Sequence, residues 1–445
     1  MPRPLSARGR AGARRSARLP RPLTSRQPNP AAAPAAGFRV GYLVSRFPKL
    51  SETFVLYEIL AIEAEGLEVE IYPLQRERAR TLHPEAAALV ERAQFTPLLS
   101  FPILCSHAYY LRRRPRAYLR ALFDLVRCNF GSPRYLGGAL AFFPKAVHLA
   151  RQMARDGVGH LHAHFASHPA AVAVVIHRLE GIPYSFTAHG SDLHRDRHML
   201  REKVAEARFV VPISEYNRRV ILEECGDEHA AKLAVIHCGI DPAIFRPDVR
   251  GAPSASPGEL RLACVGTLHE VKGQAVLLEA CELLLASGID VRCDLVGDGP
   301  DRARLERQAR RLGLGDRIRF RGACTREQVA ACLREIDVAV VPSVPTRDGR
   351  REGIPVALME AAASGRPVVA SRLSGIPEAI EDGVDGILVA PGDPVALAVA
   401  LARLAEDPKL RQRLGAAARE RMLRDFNLAT NARVLAMRFR PELAP

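Results

Sequence analysis

Arg351-Glu352-Gly353-Ile354-Pro355-Val356-Ala357-Leu358-Met359-Glu360-Ala361 is the stretch on which the reading turns. It follows a short β-branched run, Val338–Val341, and a loop over 342–350. Pro355 fits the first position of a helix, where a missing N–H does no harm. Gly365 fits the helix C-cap, and Arg366-Pro367 leads into the next strand. The predicted helix therefore points its N-terminus out of the carboxyl edge of a strand. Free N–H groups and the helix dipole at such a tip form an anion site suited to a diphosphate. Glu352 lies just before the tip, and Glu360 about a turn and a half inside it. Carboxylates beside an anion site make electrostatic sense if they accept hydroxyl hydrogen bonds from a sugar and a ribose. The competing reading has both as ordinary helix-end and surface glutamates.

Working outward, the same alternation of strand and helix recurs. Strands are predicted at 260–265, 291–296, 318–321, 338–341, 367–370 and 387–389, separated by helical patterns such as Ala275–Ala286 and Asp301–Leu312. A first series precedes it, with strands at 38–44, 67–72, 161–165, 184–188, 209–213 and 233–237 and a helix over Glu52–Glu65. Residues 83–158 are mainly helical and irregular. The four prolines of Asp241–Pro257 break the pattern and mark a linker. The expected organisation is a disordered basic segment over 1–36, a Rossmann-like domain over 37–245, a linker over 246–259, a second Rossmann-like domain over 260–415, and a C-terminal helix and tail over 416–445. The fold class is α/β, with two parallel sheets facing each other across a cleft at their carboxyl edges.

The chain has 445 residues and a formal net charge of +15. Residues 1–36 carry eight arginines and no acid among Ala, Pro and Ser, so they cannot bury enough apolar surface to offset ordering entropy. That segment lacks the apolar core of a secretory signal; an Arg-rich transit peptide is a weaker reading. Arg112, Arg113, Arg114, Arg116 and Arg120 are interleaved with Tyr109, Tyr110 and Tyr118. They suit anionic lipid headgroups or a phosphorylated acceptor, or else form a solvated helix face. No nucleic-acid recognition motif accompanies the charge. No run of 18 apolar residues is present, so a spanning helix is not expected. The nine scattered cysteines form no C-x-x-C pair and fit a reducing cytoplasm.

The first strand of the second series ends in Gly266-Thr267-Leu268-His269-Glu270-Val271-Lys272-Gly273. A lysine after a glycine turn at a strand end can neutralise a diphosphate and stabilise it as a leaving group. Gly297-Asp298-Gly299-Pro300 follows another strand and suits either close ligand approach or a plain turn. Neither series carries G-x-G-x-x-G after its first strand, which disfavours a dehydrogenase.

These residues resemble family 4 of the retaining glycosyltransferases, which adopt the GT-B fold. Glu352 to Glu360 is similar to that family's E-x7-E signature, and Gly266 to Gly273 to its phosphate-binding segment. Tyr42-Leu43-Val44-Ser45-Arg46-Phe47-Pro48-Lys49-Leu50-Ser51-Glu52-Thr53-Phe54, His162-Ala163-His164-Phe165 and Thr187-Ala188-His189-Gly190-Ser191-Asp192 are similar to its colanic-acid and exopolysaccharide branch. The resemblance implies that Glu360 binds the nucleotide ribose, Glu352 a hydroxyl of the transferred sugar, and Lys272 the diphosphate. It implies that the backbone of Gly353, Ile354 and Pro355 borders sugar and phosphate, with Gly266, Thr267 and Gly297 on the donor side. His189 would reach across the cleft toward the donor sugar, and Ser51, Glu52 and Thr53 would line the acceptor side. The donor is then a nucleoside-diphosphate sugar, and the acceptor a saccharide or lipid-linked hydroxyl. The protein would be cytoplasmic, with peripheral contact at the inner face of the cell membrane left open.

One departure stands out. The family commonly places an arginine where this chain has Thr267, and His269, Arg347 or Arg351 are the candidates to replace its charge. His162, His164 and His168 have metal-like spacing, but no cysteine pair or carboxylate accompanies them locally. The chain contains no D-x-D, so the helix tip and Lys272 are expected to hold the diphosphate without metal or other cofactor. Two rival readings are a nucleotide-sugar epimerase of the same architecture and a non-catalytic sugar-nucleotide-binding protein.

Overall fold

Eleven strands form two parallel sheets in a computed structural model that describes residues 38–49, 52–77, 84–97, 100–194, 197–247 and 259–440. The segment 1–36, Ser51 and most of the 246–259 linker lie outside the described residues. In chain order the strands are β1 (Arg39–Phe47), β2 (Glu68–Arg76), β3 (Val158–His164), β4 (Tyr184–Ala188), β5 (Phe209–Pro212), β6 (Glu259–Val265), β7 (Asp290–Val296), β8 (Ile318–Gly322), β9 (Val338–Val341), β10 (Val368–Ser371) and β11 (Ile387–Val389). The first sheet runs β2-β1-β3-β4-β5 and the second β11-β10-β9-β6-β7-β8. This is the two-sheet α/β arrangement of the GT-B fold.

Side-chain alternation explains the layering of the first sheet. Val40, Tyr42 and Val44 of β1 pack on one side with the helices Thr53–Ala64 and Leu428–Phe439. Leu43 faces the other side, with Leu161 and Ala163 of β3, beneath the helices that span 101–156 and His168–Glu180. Pro73 lies within β2, where the edge position leaves its missing N–H harmless. Both β1 and β2 run three to four residues past their predicted ends, because Pro73 and Leu74 continue the buried run.

Three predicted elements change. Leu233–His237 is not a strand: Leu233 makes one isolated bridge to Val210, and Ala234 and Ile236 donate to the Val210 and Pro212 carbonyls. The segment then turns inward, with His237 Nδ1 2.8 Å from the Ile213 carbonyl. Pro355 is the N-cap, not the first helical residue: Gly353 and Ile354 form a bend, Pro355 is extended, and the helix begins at Val356. The helical pattern over 416–439 divides at Asn427, which caps the Leu428–Phe439 helix with its side chain. That last helix crosses back to the first sheet, where Phe439 is fully buried against the Tyr42, His160 and His162 rings.

Candidate active site

Both sheets aim their carboxyl edges at one cavity of about 820 Å³. Thr53, Phe54, Phe165 and His189 line it from the first half, and Lys272, Glu352 and Glu360 from the second.

The halves touch backbone to backbone at its floor. Gly190, with φ of +117°, sits so close to Gly353 that a Cβ would come within 2.9 Å of the Gly353 nitrogen. A Cβ on Gly353 would in turn lie 2.3 Å from the His189 carbonyl oxygen. Only glycine fits both sides of this contact. The Glu378 carboxylate adds two hydrogen bonds across the same boundary, accepting from the Glu215 and Tyr216 amides at 2.7 Å each. These amides open the Glu215–Cys225 helix, so the carboxylate also meets a helix dipole.

The turn over Gly266–Gly273 is built from crossing backbones. β6 ends at Val265, and Gly266 (φ +151°) packs under the Lys272 stem. Gly297 (φ +139°) presses on the Gly266 carbonyl, where a Cβ would approach to 2.0 Å. Gly273 (φ +67°) lies against the Pro342 carbonyl and ends the short 3₁₀ turn that carries Lys272. Lys272 is thereby aimed at the cavity, where its ammonium pairs with the Glu352 carboxylate. Ser343 donates to the other Glu352 oxygen at 2.5 Å. Glu352, half-buried, is thus held by two partners just ahead of the Val356–Ala363 helix tip.

Glu360 lies one turn inside that helix and also faces the cavity. Desolvation pushes its carboxyl up to about 7, against the pull of the Arg326 guanidinium. Arg326 begins the helix that follows β8 and stacks 3.7 Å over the Tyr57 ring of the first half. It is buried and lines the cavity.

On the opposite wall, Asp192 shapes the His189–Gly190 turn. Its carboxylate accepts from the amides of His189 (3.0 Å), Gly190 (2.8 Å) and Ala166 (2.6 Å). Burial raises its carboxyl, and those amides oppose the rise. The His189 ring is wedged between Phe54 and Phe165, each with centroids 4.6 Å away. Its nitrogens face protein: Nε2 is 3.1 Å from His164 Nδ1, and Nδ1 is 3.8 Å from Cys238 Sγ. It is the His189 backbone, not its ring nitrogens, that reaches across to Gly353. Desolvation, with His164 adding to it, holds the His189 ring well below the usual histidine range and therefore neutral. Behind it, His164 Nε2 is 3.2 Å from the Glu58 carboxylate, which also accepts from the Tyr42 hydroxyl at 3.0 Å.

Twelve of the predicted site residues line this one cavity: Glu52, Thr53, His189, Gly266, Thr267, Lys272, Gly297, Glu352, Gly353, Ile354, Pro355 and Glu360. Of the three residues considered as replacements for the family arginine, His269 and Arg351 line it, whereas Arg347 is exposed outside it. Arg350, which sequence reasoning did not select, lines it too, with its guanidinium 3.3 Å from His269 Nε2. Arg326 and Glu58 were also missed. A strand followed by the Thr325–Gln328 capping box marks a helix tip at Arg326 that could have been found. Glu58 carries no such signal.

The histidine cluster regroups. His168 packs on Tyr135 and Phe142, away from His162 and His164. No carboxylate accompanies them locally in the sequence, but the fold brings Glu58 to them, and Glu58, His162 and His164 could jointly hold a metal ion. Both His162 nitrogens, however, already lie 2.8 and 2.9 Å from the Ser185 and Thr187 hydroxyls. Ordered hydroxyl partners explain this buried histidine without an ion.

Comparison with known proteins agrees with this geometry. Residues 51–244 match the model described as Glycosyltransferase Family 4, and residues 246–421 the one described as Glycosyl transferases group 1. The chain belongs to the family-4-like glycosyltransferases. WcaL of Escherichia coli (strain K12), named as a colanic acid biosynthesis glycosyltransferase, is 33% identical over 89% of this chain and 98% of its own. AmsK of Erwinia amylovora, named as an amylovoran biosynthesis glycosyltransferase, is 36% identical over 56% of this chain and 61% of its own. Among solved structures, Anabaena HepE in complex with UDP and glucose superposes with a TM-score of 0.66 at 18% identity, covering 90% of this chain and 98% of its own. Sucrose-phosphate synthase of Thermosynechococcus elongatus gives 0.69 at 20%, covering 91% and 99%.

Proposed function

We propose that this glycosyltransferase moves a sugar from a nucleoside-diphosphate sugar to a hydroxyl of a saccharide or lipid-linked acceptor, with retention, in the making of an exopolysaccharide or other cell-surface glycan. The observation that carries the reading is the convergence of Lys272, Glu352, Glu360 and the Val356 helix tip on one cavity between the sheets. The colanic acid and amylovoran relatives support the glycan class, and the UDP and glucose of the HepE complex support the donor class.

In this reading the second half, over 260–415, holds the donor and the first half, over 37–245, faces the acceptor. Glu360 accepts hydrogen bonds from the ribose, and Glu352 from a hydroxyl of the transferred sugar. Lys272 leaves its partner Glu352 to meet the diphosphate. The bond between the anomeric carbon and the β-phosphate oxygen breaks while the acceptor oxygen bonds to the same carbon. The acceptor's proton passes to the departing phosphate, so charge is conserved and no metal or cofactor is required. Charge builds on the diphosphate as it leaves, where Lys272 and the helix amides are already oriented. His189 stays neutral and, with Phe54 and Phe165, keeps the sugar side dry.

The test is Glu360→Ala, assayed with a donor chosen by screening nucleotide sugars for thermal stabilisation. Turnover should be abolished or nearly so, and wild-type rates would remove the E-x7-E assignment. Incubation without acceptor should leave the donor sugar's configuration unchanged; inversion there would favour the epimerase reading.

A further inference from the structure

We propose that the outer face of the helices Phe101–Arg113 and Pro115–Asn129 docks on an anionic lipid bilayer. The two helices pack on each other and on the long Pro133–Asp156 helix, in the crossover between β2 and β3. Each buries one stripe and exposes another at helical spacing. The first buries Ile103, Ser106 and Tyr110 and exposes Phe101, Leu104 and Leu111. The second buries Tyr118, Ala121 and Leu125 and exposes Leu119 and Phe123, continued by Phe130 just past its end. Phe101 and Phe130 are each 77% exposed and Phe123 64%, where a water-facing helix would place polar groups. Large side chains gathered this way on one pair of helices are not the scattered apolar residues of an ordinary surface.

Charge selects the occupant. Arg112, Arg116, Arg120 and Arg127 are exposed and border these stripes, and Asp124 is the sole acid between residues 101 and 140. Asp124 is itself engaged, 3.2 Å from Arg178. Phenylalanine and leucine flanked by arginine match the acyl boundary and headgroups of a negatively charged membrane. A second copy of the chain fits poorly, since a two-fold contact would bring arginine face to face with arginine. Among the described residues no helix is long and apolar enough to cross a membrane, so the contact would be peripheral.

The full-length protein should be tested by flotation with vesicles of phosphatidylcholine alone and of phosphatidylcholine with about one third phosphatidylglycerol. It should float with the anionic vesicles, less so at high salt, and remain unbound with the neutral ones. F101S/F123S/F130S and, separately, R112E/R116E/R120E should each lower that partition at least tenfold, with circular dichroism and donor-induced thermal shift unchanged. The arginines of residues 1–36 are retained in both variants, so any attraction they contribute is common to all samples. Equal binding to the two vesicle types, undiminished binding by the phenylalanine variant, or a soluble dimer that this variant dissociates would each overturn the proposal. Flotation requires no nucleotide sugar, so its failure would leave the transferase reading standing.

Discussion

The two walls of the cavity carry their charges in different places. The second half presents charges at its surface: the Lys272–Glu352 pair, Glu360 and Arg326. Around His189 the first half presents a neutral wall of rings, with His189 clamped by Phe54 and Phe165 and its ring nitrogens directed into the protein, while its charged lining residues, Arg46, Lys49, Glu52 and Glu77, come from the ends of β1 and β2 and the segments after them. The contrast follows from where charge moves in glycosyl transfer. A departing diphosphate gains negative charge and must meet fixed cations and amide dipoles. The sugar and the acceptor hydroxyl need exclusion of water rather than a counter-ion, and a neutral wall supplies that. The Gly190–Gly353 backbone contact joins the walls, and the Glu378 carboxylate that crosses the same boundary is met by two amides.

The largest effect should come from the charged wall. Lys272→Ala removes the cation and strands Glu352, which was its partner. We expect kcat/KM to fall on the order of a thousandfold, the upper range for loss of one donor to a developing anion. Lys272→Met should behave alike, because the charge rather than the stem is responsible. A drop under about tenfold in steady-state assays would mean that Arg350 and the helix amides carry the diphosphate without it.

Glu360 gives a pH signature that the neutral wall cannot. Its native carboxyl titrates near 7, above the ordinary value of 4.5. Ribose hydroxyls donating to the carboxylate favour its charged form, so nucleotide affinity should weaken as pH falls below 7, by up to about tenfold per pH unit. The unliganded protein should respond in the opposite sense. Between 4.5 and 7 the native state holds a proton that the unfolded chain has released, so this group's contribution to stability declines as pH rises and is flat above 7. Glu360→Gln should therefore stabilise the unliganded protein at pH 8 by roughly 1–3 kcal/mol, with little change at pH 5, while abolishing the pH dependence of nucleotide binding. Calorimetric titration and thermal melts at the two pH values read both. A Gln variant that melts lower at pH 8 would show that the carboxylate is not strained in its site.

On the neutral wall the effect should be smaller and indirect. The Glu58 carboxylate lies 3.2 Å from His164 Nε2, and His164 Nδ1 lies 3.1 Å from His189 Nε2, so a carboxylate stands behind the ring pair. Glu58→Gln keeps the volume but removes the charge behind this pair. We expect kcat to fall about tenfold, an ordinary cost for a second-layer partner, with donor KM unchanged and the acid limb of the pH profile displaced. Equal losses in thermal stability and kcat with an unmoved pH profile would assign Glu58 to packing alone.

The charged wall was legible in the sequence because it is nearly contiguous. One strand–loop–helix passage holds Glu352 and Glu360, and one glycine turn holds Lys272. Local chemistry decides each: a proline that can cap, a glycine that can adopt positive φ, a β-branched run that forms a buried strand. The neutral wall was only half legible. His189 and Gly190 form a short motif, but Glu58 lies more than a hundred residues from His164 and occupies an ordinary helical position. Its partner is set by the β1–β3 pairing, which brings His162 opposite Tyr42. Strand order fixes such meetings, and no local spacing encodes strand order. Leu233–His237 failed for a related reason: an apolar run next to an edge strand can lie beside it without forming a ladder.

The smallest expected effect probes the one place where the charged wall departs from its family. Thr267 is exposed on the cavity, and its carbonyl is held by the Gln274 side chain at 3.1 Å. The backbone there is fixed independently of the side chain, so Thr267→Arg should be accommodated without refolding the turn. If Arg350 beside His269 already supplies the missing charge, an added arginine has little left to neutralise. Donor KM should then fall by no more than about threefold, under 1 kcal/mol, with kcat unchanged. Arg350→Ala should raise donor KM considerably more in the natural chain than in the Thr267→Arg background, since two cations serving one diphosphate are not additive. Additive effects of the two substitutions would mean that Arg350 and position 267 act on different groups, and that the diphosphate in this protein is held with one cation fewer than in its relatives.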